Sequence, residues 1–367
     1  MQYIQAFRQP EVARKFIERI NLKVKENKSY RLMEFCGGHT HAIYRYGILN
    51  LLPKNIKMIH GPGCPVCVLP IARVDQAIFL AEQKDVIFCS YADMLRVPGS
   101  HQDSLIKAKA RGADVRMVYS IDDALKLAQK YPQKEVIFFA IGFETTTPPT
   151  ACALNYAKSH QLNNFSIFCN HVLTPVAMEG ILSGDEVEID GFVGPSHVSI
   201  IIGSNAYKKV ADCYHKPIVI SGFEPLDVLQ SIEMLVDMIN QNETGIQNQY
   251  TRAVSESGNQ KAQALVSSSL ELRDTFEWRG LGFIEKSALK INTEYGAYDA
   301  EEKFSIPEVK GLEHISCACP EILRGIKTPA DCKLFGIACT PEQPMGACMV
   351  SSEGACAAHY QYQFEGA

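Results

Sequence analysis

The chain has 367 residues, 46% of them apolar and 21% charged, with a formal net charge of −5 and a pI near 6.1. That length predicts two or three domains rather than one core. The acidic balance argues against a nucleic-acid or anionic-membrane surface, and no apolar run reaches bilayer-spanning length.

Residues 8–20 read as an amphipathic helix. Pro10 suits its first turn, and Val12, Phe16, Ile17 and Ile20 recur at helical spacing. The start of the chain lacks the apolar stretch of a signal peptide, which predicts a cytoplasmic protein. Its thirteen cysteines, an odd number, then face a reducing compartment. Metal ligation or catalytic redox is the better default there than structural disulfides.

Cys36 heads the run Cys36-Gly37-Gly38-His39-Thr40-His41. Small neighbours expose the thiol. It reads as a nucleophile or an iron ligand, with His39 a ligand or proton carrier. The plain alternative is a glycine-rich turn with a buried thiol and a hydrogen-bonded histidine. A strand at 56–60 then runs into GPGCPVC. Cys64-Pro65-Val66-Cys67 at a helix start is a dithiol/disulfide couple, since two intervening residues permit ring closure and the helix N-terminus favours a thiolate. It is equally half of a zinc site, although no second Cys-x-x-Cys completes one.

Helices at 72–82 and 102–111 alternate with strands at 86–90 and 115–119. A helix at 121–130 follows, with Ser120 as its N-cap. The strand at 136–141 leads into Gly142-Phe143-Glu144-Thr145-Thr146-Thr147. This resembles an anion-binding turn but lacks the P-loop lysine and the GxGxxG spacing. Its bland reading is a helix cap by Thr145 or Thr146; Glu144, buried by context, is a proton acceptor or a supporting partner. Strands at 165–169, 191–193 and 218–220 complete the pattern. His171 and His197, near strand ends, read either as satisfied structural residues or as ligands.

Strand–helix alternation predicts α/β architecture with mostly parallel sheets. Ligands in open α/β sheets bind beyond the carboxyl ends of the strands, so the loops GPGCPVC, GFETTT, GPSHVS and SGFEP are expected to converge as site walls. Loop composition divides the chain into 30–120, 121–225, and a third part formed by 1–29 plus 226–367. The third part opens with a strong helix at 226–241 and ends in a cysteine-rich tail.

In that tail Cys332, Cys339, Cys348 and Cys356 are separated by six, eight and seven residues. Four soft thiolates suit an iron–sulfur cluster, and the intervening Gly and Pro residues allow chain wrapping. Structural zinc is the rival, and buried inert thiols the bland reading. Cys317 and Cys319 lie just upstream, and either is a candidate to replace one of the four.

CGGHTH, GPGCPVC, GFETTTPPTA, NHVLTP, GPSHVS, SGFEPLDVLQSI and CTPEQPMGACMVSSEGACAAHY occur together, in this order, over nearly the whole chain. Jointly they resemble the HypD family of [NiFe]-hydrogenase maturation proteins. The resemblance implies an α/β fold: two Rossmann-like parallel-sheet domains with a third, helix-containing iron–sulfur domain. It implies a [4Fe–4S] cluster on Cys332, Cys339, Cys348 and Cys356, and a redox pair at Cys64 and Cys67. Cys36 would be the thiolate for the iron of an Fe(CN)2CO group, with His39 beside it and Glu144 and His197 around the site. The implied partners are HypC in a stable complex and HypE delivering cyanide-derived groups, with HypF and the hydrogenase large subunit indirectly. Pro320 follows Cys317-Ala318-Cys319 where family members often carry Gly, which leaves the role of those two thiols open. An iron–sulfur-dependent thiol–disulfide oxidoreductase and a zinc-stabilised binding protein are the competing readings of the same cysteines.

Overall fold

The computed structural model describes residues 5–184 and 186–364. The strands expected from apolar runs are present: β2 (Ile56–His60), β3 (Val86–Ser90), β4 (Asp114–Met117), β5 (Glu135–Gly142), β6 (Phe165–His171), β7 (Gly191–Pro195) and β8 (Pro217–Ser221). Two further strands, β1 (Tyr30–Glu34) and β9 (Gly245–Asn248), carry no clear apolar run. Arg31 and Glu34 interrupt β1, yet it is largely buried and paired on both sides, with β2 and β7.

The strands form two parallel sheets, the α/β architecture that the alternation predicts. One has the order β2-β1-β7-β8-β9 and the other β4-β3-β5-β6. The chain starts the first sheet, builds the whole second sheet with β3 to β6, and returns to the first with β7. The sheets therefore do not follow a division at residue 120. β3 and β4 join β5 and β6, whereas β7 and β8 join β1. Local alternation dictates parallel pairing but not which sheet receives a strand; long-range burial decides that.

The helix Pro10–Lys23 lies along the helix Pro225–Gln241. Arg19 meets Glu233 at 2.8 Å, and Lys23 meets Glu233 at 2.7 Å and Asp237 at 2.6 Å. Both helices join the core built on Leu32, Val193 and Val219 of the first sheet. After β9 the chain spreads over both sheets instead of forming a layer of its own. The helix Gln260–Ser269 packs on the helix Thr147–Ser159 beside the second sheet. Two short antiparallel ribbons follow, Leu270–Leu272 with Leu289–Ile291 and Thr275–Trp278 with Gly282–Glu285.

A single apolar core joins the two sheets. Met33, Phe192 and Ile218 enter it from the first sheet, and Phe88, Phe139 and Phe168 from the second. The tail cysteines are buried in this same core.

Candidate active site and thiol centre

A cleft of about 360 Å³ opens where the carboxyl ends of the two sheets face each other. It is lined by Cys36 after β1, Gly63, Pro65 and Val66 after β2, and Tyr91 and Asp93 after β3. Gly142 at the end of β5, Phe143, Thr145 and Thr146 after it, and His197 after β7 complete the sheet side, and Ser351–Glu353 of the tail closes it. Strand order reverses between β1 and β7 in one sheet and between β3 and β5 in the other. Both switch points thus open on the cleft, where side chains from diverging loops have room to converge.

Cys36 precedes the first turn of the helix Gly37–Arg45. Its amide donates to Glu34 Oε2 at 2.9 Å. The buried Glu34 carboxylate also accepts from Thr40 Oγ1 and meets His60 Nδ1 at 2.7 Å. His60 Nε2 lies 2.9 Å from the Tyr44 hydroxyl, which lies 3.1 Å from His359 Nδ1. This buried polar chain fixes the turn that presents Cys36 and ties it to the tail. Gly63 touches the turn so closely that a Cβ there would come within 2.4 Å of the Cys36 nitrogen. At Gly37 a Cβ would come within 2.4 Å of Glu353 Cβ.

Burial pushes the Cys36 thiol far up, Glu353 and Glu34 push it the same way, and the amides of Gly38 and His39 oppose them. The sulfur therefore keeps its proton until a cation reaches it. Burial, and after it Asp93, also raises the Glu353 carboxyl. Sequence reasoning passed over Tyr91, Asp93 and Glu353. Tyr91 and Asp93 follow β3 directly, so the strand-end rule was sufficient to find them.

Cys64 and Cys67 are both buried and are joined in a disulfide with a Cα–Cα distance of 5.2 Å. Cys67 Sγ lies 4.0 Å from the carbonyl oxygen of Ala347, the residue before Cys348. The dithiol turn thus stands between the cleft and the tail.

His197 lines the cleft with an exposed ring, and partial desolvation lowers its pKa. Its ring meets Phe223 at 4.3 Å, and His39 meets the same ring at 4.8 Å. His39 is fully buried and does not line the cleft. Its Nε2 donates toward the carbonyls of Ser221 and Gly222, each 3.1 Å away, so Nδ1 is the bare nitrogen and has no protein partner.

Glu144 likewise turns away from the cleft that its neighbours line. Its carboxylate accepts from Thr174 N at 2.8 Å and Thr174 Oγ1 at 2.9 Å, at the start of the helix Thr174–Leu182. Burial raises its pKa to about 7, against those hydrogen bonds. His171 sits between Thr146 and Thr150, with Thr150 Oγ1 2.8 Å from Nε2, and burial lowers it to about 4. Glu144 ties the GFETTT turn to that helix, and His171, at the end of β6, holds the turn through Thr146 and Thr150.

The four tail cysteines taken from spacing, Cys332, Cys339, Cys348 and Cys356, are all buried. Cys319, buried, and Cys317, partly exposed, lie in the same tail. Cys319 Sγ lies 2.6 Å from Cys348 Sγ. The Cys317 thiol is raised to about 12, first by burial, with Cys319, Cys332 and Cys339 adding to it. The Cys339 sulfur accepts from the Met345 amide at 3.3 Å. These sulfurs influence one another without closing, among the described residues, into a ligand shell of three or more side chains.

A family model described as "HypD: Hydrogenase formation hypA family" matches residues 11–363. The chain is 57% identical over 368 residues to "Hydrogenase maturation factor HypD2" of Bradyrhizobium diazoefficiens, covering 99% of this chain and 97% of that one. Identity to "Hydrogenase maturation factor HypD" of Cupriavidus necator is 55% over 368 residues, again 99% and 97% of the two chains. The HypD protein of Escherichia coli is 45% identical over 368 residues, 99% of this chain and 98% of that one. The chain belongs to the HypD family of hydrogenase maturation factors.

Proposed function

We propose that this chain is the scaffold and redox protein on which the Fe(CN)2CO group of [NiFe]-hydrogenase is assembled. It would work in the cytoplasm in complex with HypC and accept cyanide from HypE, which HypF charges; the hydrogenase large subunit would receive the product. The observation that carries this reading is the cleft that gathers Cys36, Pro65 and Val66 of the turn closed by Cys64 and Cys67, and His197.

A ferrous ion bearing cyanide and carbon monoxide needs soft anchors, and Cys36 is a thiol held at the cleft wall by the Glu34 network. The arriving cation displaces the proton that burial otherwise keeps on the sulfur, the proton leaves to solvent through the cleft, and the cation offsets the thiolate charge. Asp93 and Glu353 line the same wall and offer carboxyl oxygens to the cargo. Releasing cyanide from a thiocyanate carrier takes two electrons. The reduced Cys64–Cys67 pair supplies them: its two thiols give up two electrons and two protons and close the disulfide. The carrier's S–CN bond breaks, its sulfur leaves as a thiolate, and cyanide passes to the iron.

The tail fits a [4Fe–4S] cluster by donor chemistry: several buried thiols and a backbone N–H directed at one sulfur. Cys332, Cys339 and Cys356 would hold it, with Cys348 as fourth ligand or, because Cys348 touches Cys319, Cys317 in its place. When bound, the cluster would supply single electrons for reopening the disulfide.

Infrared spectroscopy of the anaerobic complex with HypC tests the proposal. The wild type should show CN and CO stretching bands, and Cys36→Ala should lose them while keeping its fold. Full bands in Cys36→Ala would overturn the anchoring role and favour a plain thiol–disulfide oxidoreductase.

A further inference from the structure

Arg279 is a guanidinium in the wrong place for a surface residue. It is only 3% exposed, at the inner end of the ribbon strand Thr275–Trp278. Its backbone amide donates to the Val68 carbonyl at 2.8 Å, and its Nε donates to the Leu69 carbonyl at 2.9 Å. Those carbonyls end the short helix that begins at Cys64. Nη1 reaches Glu313, partly exposed, at 3.4 Å. Nη2 is buried without any protein partner. Leaving a charged donor unsatisfied in the interior is costly, so such a group ordinarily marks a place where negative charge is received.

The surroundings show where that charge resides. The residue after Arg279 is pressed against the residue after Cys319: a Cβ on Gly280 would lie 2.6 Å from the Pro320 carbonyl oxygen. Arg279 thus stands between the dithiol helix and the tail segment that carries Cys319.

We propose that Arg279 is the charge-compensating and positioning residue of the thiol centre: it fastens the Cys64–Cys67 helix and offsets the negative charge that the tail sulfurs take on when they are ligated and reduced. The inference rests on the iron–sulfur reading given above. A fixed buried cation stabilises the reduced, more negative form of a neighbouring centre and so raises its potential. A neutral residue in its place lowers that potential.

The experiment is a redox titration, followed by electron paramagnetic resonance, of the anaerobically purified full chain. Arg279→Gln should shift the midpoint downward by about 59 mV, a tenfold change in the ratio of oxidised to reduced centres. Arg279→Lys keeps the charge and should stay near the wild-type value. Glu313→Gln removes a competing negative charge from a partly exposed position and should move the midpoint upward by a smaller amount. A loaded Arg279→Gln protein at the wild-type potential overturns this inference alone. If Arg279→Gln does not fold, Glu313→Gln decides, and an unchanged midpoint there overturns it. A wild-type chain that takes up no iron defeats the iron–sulfur reading and this inference with it.

Discussion

The two sulfur-bearing regions of this molecule are held in opposite ways. Cys36, the Cys64–Cys67 turn and His197 stand just past β1, β2 and β7, three strands of one parallel sheet. Their positions follow from the ladder beneath them, and Glu34 locks the Cys36 turn from inside. The tail has no such support. It consists of short helices, Cys319–Leu323, Ala347–Val350 and Ala355–His359, joined by turns such as the one closed by the Gly336 amide on the Cys339 carbonyl at 3.1 Å. The sheet-borne site is organised before anything binds. The tail draws its order from apolar side chains such as Ile322 and Met349 and its buried sulfurs in the shared core and, on the proposed function, from the metal they hold.

That contrast breaks most visibly if iron is withheld. Cys332→Ser or Cys339→Ser should drop the iron content of the anaerobic protein from about four per chain toward zero. Proteases should then cut between residues 305 and 360, while the two sheets keep their circular dichroism. Cys317→Ser and Cys348→Ser compared side by side identify the fourth ligand: the variant that retains its iron is not it. A tail equally resistant with and without iron would erase the distinction between the regions.

The sheet-borne site is tested by Glu34→Ala. The substitution leaves His60, Thr40 and the Cys36 amide without their shared acceptor. Removing one partner from such a buried network should lower stability by roughly 3–5 kcal/mol in urea unfolding. Iron bound by the tail should be unchanged in the folded fraction. Equal loss from both regions would mean that they are one cooperative unit.

How far each region could be read from sequence follows the same physics. Apolar runs gave the buried strands and their carboxyl-end loops, and with them the convergence of GPGCPVC, GFETTT and GPSHVS. Strand β1 escaped because Arg31 and Glu34 break its pattern, yet Glu34 is buried only because tertiary contacts give its carboxylate three partners. The return of the chain from the second sheet to the first was illegible, since pairing across some 150 residues leaves no local trace. In the tail, spacing identified the sulfurs as a group but not their partners. Cys319 beside Cys348 is a contact between residues 29 apart that only the fold creates. For Glu144, residue type suggested chemistry, whereas the geometry turns its carboxylate onto a helix start.

The two titratable groups that hold the GFETTT turn give the smallest and most specific test of the sheet-borne region. His171 is buried and lowered to about 4 from 6.5. Its contribution is complete above pH 6.5 and is lost as pH falls toward 4, because the unfolded chain takes up a proton that the folded one refuses. Glu144 is raised to about 7 from 4.5. Its contribution is complete below pH 4.5 and is lost as pH rises through 7, because the folded chain holds a proton that the unfolded one releases. At about 1.36 kcal/mol per pH unit, each is worth roughly 3 kcal/mol over its window. Between pH 4.5 and 6.5 the two slopes oppose each other and largely cancel. Glu144→Gln should expose the histidine, with the urea midpoint rising from pH 4 to 6.5 more steeply than in the wild type. His171→Asn should expose the carboxyl, with the midpoint falling from pH 4.5 to 7. If both variants run parallel to the wild type, neither group titrates in the folded chain as its burial requires, and the turn they support is more open to water than the geometry of Thr146, Thr150 and Thr174 allows.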